Sequence, residues 1–140
     1  MAQLSPYLQF SDKCREAMSF YQACFGGELN IQTVGESPIA AEMPPEAHGT
    51  VLHSQLTARN GLILMASGMT GQDEVHQGNN VHLCLACDSE EEITTLFSRL
   101  STGGSVHHPL EKSFWGATFG EVTDKFGIHW MLNFDRNSQV

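Results

Sequence analysis

The sequence predicts an α+β fold made of two βαβββ modules whose sheets together form a curved, mixed-sheet trough. Three observations predict it. Two amphipathic helical stretches, CREAMSFYQACF and SEEEITTLFSRL, are each closed by a glycine pair. One short β-like run precedes each helix, and three more follow it. At 140 residues the chain is long enough for one real core and short for two, so the repeat reads as two halves of a single domain, 1–140. The modules are placed at 1–68 and 80–135, each leaving a helix stripe and a sheet face to bury.

In the first module, Leu4 to Phe10 is a short strand with Pro6 near its start. Ser11-Asp12 offers a helix N-cap, and Ala17, Met18, Tyr21 and Phe25 recur at helical spacing. Gly26-Gly27 supply the stop, because glycine accepts the left-handed conformation that ends a helix. Glu28 to Gly35 alternates apolar and polar residues, as a half-buried strand does, and the proline-bearing SPIAAEMPPEAHG is a loop. Thr50 to Ala58 and Leu62 to Ala66 form a hairpin about Arg59-Asn60-Gly61. The stretch GMTGQDEVHQGNN, 68–80, is the linker candidate.

The second module repeats the order. Val81 to Cys87 is a strand, Asp88-Ser89 a cap, and the acidic run Glu90-Glu91-Glu92 a solvated first turn that suits the helix dipole. Ile93, Leu96, Phe97 and Leu100 make the apolar stripe, and Gly103-Gly104 end the helix. Strands follow at Ser105 to Leu110, Phe114 to Val122 and Ile128 to Phe134. In the aromatic segment FWGATFGEV, Phe114, Gly116, Thr118, Gly120 and Val122 share one face, with Trp115, Ala117, Phe119 and Glu121 on the other. Thr123-Asp124-Lys125-Phe126-Gly127 turns the chain back.

Seven Lys and Arg stand against sixteen Asp and Glu, a formal charge of -9, which repels polyanions and argues against nucleic acid and anionic membrane as partners. No apolar run has spanning length, and MAQLSPYLQF lacks a basic segment followed by an apolar one, so the expected location is the cytoplasm. In that compartment Cys14, Cys24, Cys84 and Cys87 are expected as reduced thiols. Cys84 and Cys87 have knuckle spacing, but residues three apart on a strand point to opposite faces and cannot share an ion. His107-His108, before Pro109, reads as an exposed pair at a strand end.

The stretches LSPYLQF, EAMSFYQACFGGEL and FWGATFGEVTDKFGIHWMLNF resemble the PhnB-like branch of the vicinal oxygen chelate (glyoxalase/bleomycin resistance/dioxygenase) superfamily. The likeness covers almost the whole chain and implies a glyoxalase-like fold and a homodimer. Members of the branch often carry the label 3-demethylubiquinone methyltransferase. A Rossmann-type methyltransferase needs a glycine-rich turn after a first parallel strand, and no such start is present.

The superfamily's enzymes hold a divalent metal with four side chains, one each from the first and last strands of both modules. Counting from the caps and turns, those positions fall on Ser5, near Leu64, on His82 and on Met131. His82 alone suits a hard or borderline divalent ion, so no metal cofactor is favoured, and a divalent metal that uses His82 with His53 or His129 is the alternative. Tyr7, Gln9, His82, Cys84, Met131 and Asn133 share the inward parity and are the expected trough lining, capped by Phe114 or Trp115. The expected partner is a small organic molecule held there, against two alternatives: a metal-dependent lyase, isomerase or dioxygenase, and a dimer whose trough is filled core. No nucleophile–base pair or paired carboxylates emerge from the spacing, so no catalytic residue is assigned.

Overall fold

A computed structural model describes residues 1–69 and 75–136. The chain divides into two compact units, Met1–His76 and Gln77–Val140. Part of the linker candidate, residues 70–74, lies outside the described residues.

The first unit runs β1 (Tyr7–Gln9), α1 (Cys14–Phe25), β2 (Glu28–Thr33), β3 (Val51–Thr57) and β4 (Ile63–Ser67), with short 3-10 turns between β2 and β3 and again between β3 and β4. Its sheet has the order β1-β4-β3-β2, with β1 parallel to β4 and the other pairs antiparallel. The second unit runs β5 (Leu83–Ala86), α2 (Glu90–Ser101), β6 (Ser105–Lys112), β7 (Ala117–Thr123) and β8 (His129–Asp135). Its order, β5-β8-β7-β6 with β5 parallel to β8, repeats the first. Two four-stranded mixed sheets, each with one helix, make the α+β fold that the periodicities predict.

Each helix buries one stripe against one face of its own sheet. In α1 the buried residues are Cys14, Ala17, Met18, Tyr21 and Cys24, spaced three or four apart, and they meet Leu56, Leu64 and Ala66 of the sheet. In α2 they are Ile93 and Leu100, against Val122, Trp130, Leu132 and Phe134. Each large apolar side chain so buried contributes roughly 1.5–3 kcal/mol. The two units also share a glycine. A Cβ on Gly27 would run into the backbone of Thr57 and Ala58, and one on Gly104 into the backbone of Thr123 and Asp124. Glycine at both positions lets the strand after each helix press against the end of its neighbour.

Boundaries differ from the sequence reading in several places. β1 starts only at Tyr7, since Pro6 has no N–H to give the ladder and contributes its carbonyl alone, accepting from Met65 N at 3.1 Å. Lys13 rather than Ser11-Asp12 occupies the N-cap of α1, without a side-chain hydrogen bond. Ser89 does cap α2, accepting from Glu92 N at 3.0 Å. Val81 and His82 precede β5 instead of belonging to it. β6 continues through Pro109 to Lys112, so His107 and His108 lie within the strand and not at its end. Phe114 and Trp115 are not on a strand: Ser113 to Gly116 form the β6–β7 turn, with Gly116 N bonded to Ser113 O at 3.2 Å and Gly116 at φ +93°.

Candidate functional site

Strand alternation gives each sheet a second face that carries no helix. On β8, Trp130, Leu132 and Phe134 are buried under α2, so His129, Met131, Asn133 and Asp135 point the other way. Across the ladder, Cys84 pairs with Met131 and Ala86 with Asn133, while Glu121 and Phe119 of β7 stand opposite the same two residues. The helix-free face of the second sheet therefore joins Cys84, Met131, Asn133, Phe119 and Glu121 in two adjacent rows. Cys84 is exposed and the others half-buried.

A β-bulge enlarges this face. Val106 pairs with Val122 and His108 with Glu121, so His107 is an extra residue in the edge strand β6. The bulge sends two consecutive histidines to one side. His107 Nε2 lies 2.7 Å from Thr123 Oγ1, and the His108 ring meets Phe119 edge-on at 5.3 Å. A second irregularity between His108 and Glu111 accommodates Pro109, which has no N–H for the ladder. Thr123 Oγ1 is also 2.7 Å from His129 Nδ1, His129 Nε2 lies 2.9 Å from Gly78 O, and the His82 ring stacks on His129 at 5.1 Å. Four of the chain's seven histidines, His82, His107, His108 and His129, thus gather on one side of the second sheet.

On the first sheet the helix-free face carries Tyr7 and Gln9 of β1, His53 and Gln55 of β3, and Met65 of β4. Tyr7 and His53 stack at 5.7 Å and their Oη and Nδ1 are 3.2 Å apart. Beside them, Asn30, Ile31, Gln32, His53 and Gln55 line an open depression of about 330 Å³. A separate open groove of about 820 Å³ at the start of α1, between Arg15, Glu46 and Thr50, contains none of the expected trough-lining residues.

The sequence-derived lining set is thus divided. Met131 and Asn133 share the helix-free face of the second sheet with Cys84, and His82 stacks at its margin; Tyr7 and Gln9 share that of the first. Phe114 and Trp115 sit at the hairpin tip, packed edge to face at 4.9 Å and 97% and 57% exposed. Leu64 requires a correction. It is 2% exposed on the α1 side of its sheet, and the residues of β4 that face the other way are Ile63 and Met65. Sequence reasoning missed Thr123 and the role of His107. The signal that could have found them is a His-His pair followed by proline inside a β-like run, a composition that suits a bulge.

The superfamily's divalent metal does not fit these residues. Leu64 is a buried hydrocarbon, its neighbours Ile63 and Met65 offer no hard donor, and Met131 offers only a thioether. Among the described residues no three His, Cys, Asp or Glu side chains are grouped to hold an ion. The thiols are not paired with one another. Burial pushes the Cys87 thiol up to about 12 and raises that of Cys14, while Cys84 lies exposed on the opposite side of its strand from Cys87.

With this geometry in hand, the chain can be compared with known proteins. A family described as 3-demethylubiquinone-9 3-methyltransferase matches residues 2–133. The chain belongs to that family, the PhnB-like branch of the glyoxalase/bleomycin resistance/dioxygenase superfamily. Protein YjdN of Escherichia coli K12 is 31% identical over 93% of both chains. The crystal structure of PA1353 from Pseudomonas aeruginosa is 36% identical, covers 96% of this chain and 98% of its own, and superposes with a TM-score of 0.83. A Bacillus cereus structure described as a PhnB protein is 29% identical over 95% and 99% of the two chains, with a TM-score of 0.75. At 14% identity and a TM-score of 0.65, a glyoxalase/bleomycin resistance/dioxygenase domain from Frankia, covering 99% of this chain and 96% of its own, shares the fold alone. A Rossmann-type methyltransferase has no counterpart in the topology of this PhnB-like protein. Its consecutive strands β1 and β2 lie at opposite edges of one sheet, so the first βαβ crossover of a nucleotide-binding fold is not formed.

Proposed function

We propose that this PhnB-like protein binds a small organic molecule against the helix-free face of its second sheet, without the four-ligand metal of its superfamily. The observation that carries the reading is the side-chain mixture on that face. Phe119, Met131 and Cys84 offer polarisable apolar surface, and Asn133, Glu121 and His82 add a few hydrogen-bonding groups around it. An apolar surface with few, well-spaced polar groups is the usual composition of a small-molecule site. Methionine suits such a face because its flexible thioether adapts to irregular ligands. The metal-free part of the reading is supported by the residue types at Leu64, Met65 and Met131. A homodimer is the assembly the reading expects, and the exposed Phe114 and Trp115 are consistent with a protein contact.

The test is a thermal-shift screen of small organic compounds on untagged protein, with elemental analysis of the same preparation and of His82→Ala. The reading expects stabilising compounds whose effect is lost in Met131→Ala and Asn133→Ala, and metal at background level. Near-stoichiometric metal that disappears in His82→Ala would overturn it in favour of a metal-dependent lyase, isomerase or dioxygenase.

A further inference from the structure

The sheet of the second unit segregates the unit's charges. Four Lys and Arg residues follow Gln77, namely Arg99, Lys112, Lys125 and Arg136. Arg99 is carried by α2 itself. Lys112 stands opposite Thr118, whose hydroxyl donates to Glu90 of α2, and Arg136 is bonded to the same Glu90. Directly paired strand residues share a face, so Lys112 belongs to the α2 side. Lys125 lies beside Gly103, just past the end of α2, where an added Cβ would meet its side chain at 3.3 Å. Each lysine and arginine of the unit is therefore on the helix side of the sheet or at the helix end.

The helix-free face carries carboxylates instead. Glu121 follows Phe119 by two residues on β7 and stands opposite Met131, so the three share that face. Glu111 is opposite Phe119, and Asp135 alternates with Asn133 on β8. Glu111 has a partner in His108, whose Nε2 lies 3.5 Å from its carboxylate. His108 is the residue across from Glu121 on β6, and its ring is turned to Phe119 and Glu111. His107 and His129 are bonded to Thr123, and His82 is stacked on His129. Among the described residues no hydrogen bond or ion pair reaches the side chain of Glu121 or of Asn133. Glu121 is a half-buried carboxylate beside an aromatic ring and a thioether, with no donor from the protein.

We propose that Glu121 determines the specificity of this site and selects a small organic cation, a protonated amine joined to an apolar or aromatic body. The proposal rests on the small-molecule reading and adds the charge of the ligand to it. An N–H donor on a cation gives the carboxylate a charge-assisted hydrogen bond, roughly twice as strong as a neutral one. The attraction grows as the body of the ligand covers Met131 and Phe119 and takes water from between the charges. Phe119 adds to it, since the face of an aromatic ring attracts a cation. The amide of Asn133 both donates and accepts, and serves a hydroxyl or carbonyl carried beside the amine. An anion meets like charge from Glu121 and its neighbours, and finds no lysine or arginine on the face to offset it.

The test uses three probes with one ring and different charge: 2-phenylethylamine, 2-phenylethanol and phenylacetate. Each is titrated by NMR into the chelator-treated full chain carrying labelled methionine methyls, with Met131 as the reporter. The amine should move Met131 at about a tenfold lower concentration than the alcohol, the worth of replacing a neutral hydrogen bond by a charged one, and phenylacetate should not move it. Glu121→Gln, which keeps the shape and removes the charge, should bring the amine to the level of the alcohol and leave the alcohol unchanged. High salt should narrow the gap in the wild type and have no such effect in the variant. Alcohol or phenylacetate binding as tightly as the amine, or an amine preference that survives Glu121→Gln, would overturn the cation and leave the small-molecule reading standing. A Met131 methyl that none of the three moves would also overturn the cation, while the thermal-shift screen decides the small-molecule reading by itself. If Glu121→Gln does not fold, the order of the three probes in the wild type and its salt dependence decide the matter.

Discussion

Asp124 shows how a single residue organises the most recognisable stretch of this sequence. It is 3% exposed, and its carboxylate accepts from Phe126 N at 2.8 Å, Ile128 N at 3.1 Å and the Trp130 indole N–H at 2.8 Å. One side chain thus holds the β7–β8 turn and satisfies the only polar atom of a buried tryptophan side chain. Because each buried donor left without an acceptor costs about 1–3 kcal/mol, Asp124→Ala should destabilise the protein by roughly 2–4 kcal/mol in urea denaturation. Trp130→Phe, which removes one donor together with part of the buried ring system, should not rescue it. The cysteines give a second prediction. At mildly alkaline pH the exposed Cys84 should react with a thiol reagent in the native state, and Cys14 and Cys87 only on unfolding, since burial keeps both protonated. Rapid labelling of Cys84→Ser at native Cys87 would contradict this. The sign for stability follows: the contribution of Cys87 is complete below the ordinary thiol value of 9.0 and is lost as pH rises toward about 12.

Among the elements, β7 explains why glycine sits in an aromatic strand. A Cβ on Gly120 would stand 2.6 Å from the Phe97 ring and 2.8 Å from Leu110, so the strand has glycine where α2 presses closest. Gly120→Ala should cost about 1–3 kcal/mol by overpacking, with part of the loss recovered when Phe97→Leu is added. A double-mutant cycle in urea checks this, and strict additivity would refute the contact. The element scale is also where sequence legibility divides. Helices, their glycine stops and the succession of elements along the chain were readable because apolar spacing and left-handed glycines act locally. The start of β7 was not, because phenylalanine and tryptophan favour strands in isolation, while Gly116 at φ +93° closes a turn beneath them. Leu64 was misplaced for a similar reason. The 3-10 turn Arg59–Gly61 closes with Ala58 N on Leu62 O, β4 begins at Ile63, and one residue of register exchanges the two faces of a strand. The bulge at His107 left no periodic signal, so the histidine chain became visible only through strand pairing.

At the scale of the whole molecule, the duplicated βαβββ order supplies two helix-free sheet faces, and the residues distributed on them differ sharply. The first presents Tyr7, Gln9, His53 and Gln55; the second gathers Cys84, Phe119, Met131 and Asn133 with four histidines. That Met131 and Asn133 share one face was legible because they alternate with the buried Trp130, Leu132 and Phe134. Their surroundings were not, because nothing local tells a half-buried methionine on a helix-free face from a core one. Ligand binding on the second face is the central consequence of this arrangement. The measurement that addresses it most directly is an NMR titration of chelator-treated protein, carrying labelled methionine methyls, with the compounds that stabilise it. The account predicts that the Met131 methyl moves on ligand addition, and moves equally without added metal. A response confined to protein reloaded with a divalent ion, or shifts at Met18 or Met43 with Met131 unchanged, would contradict it.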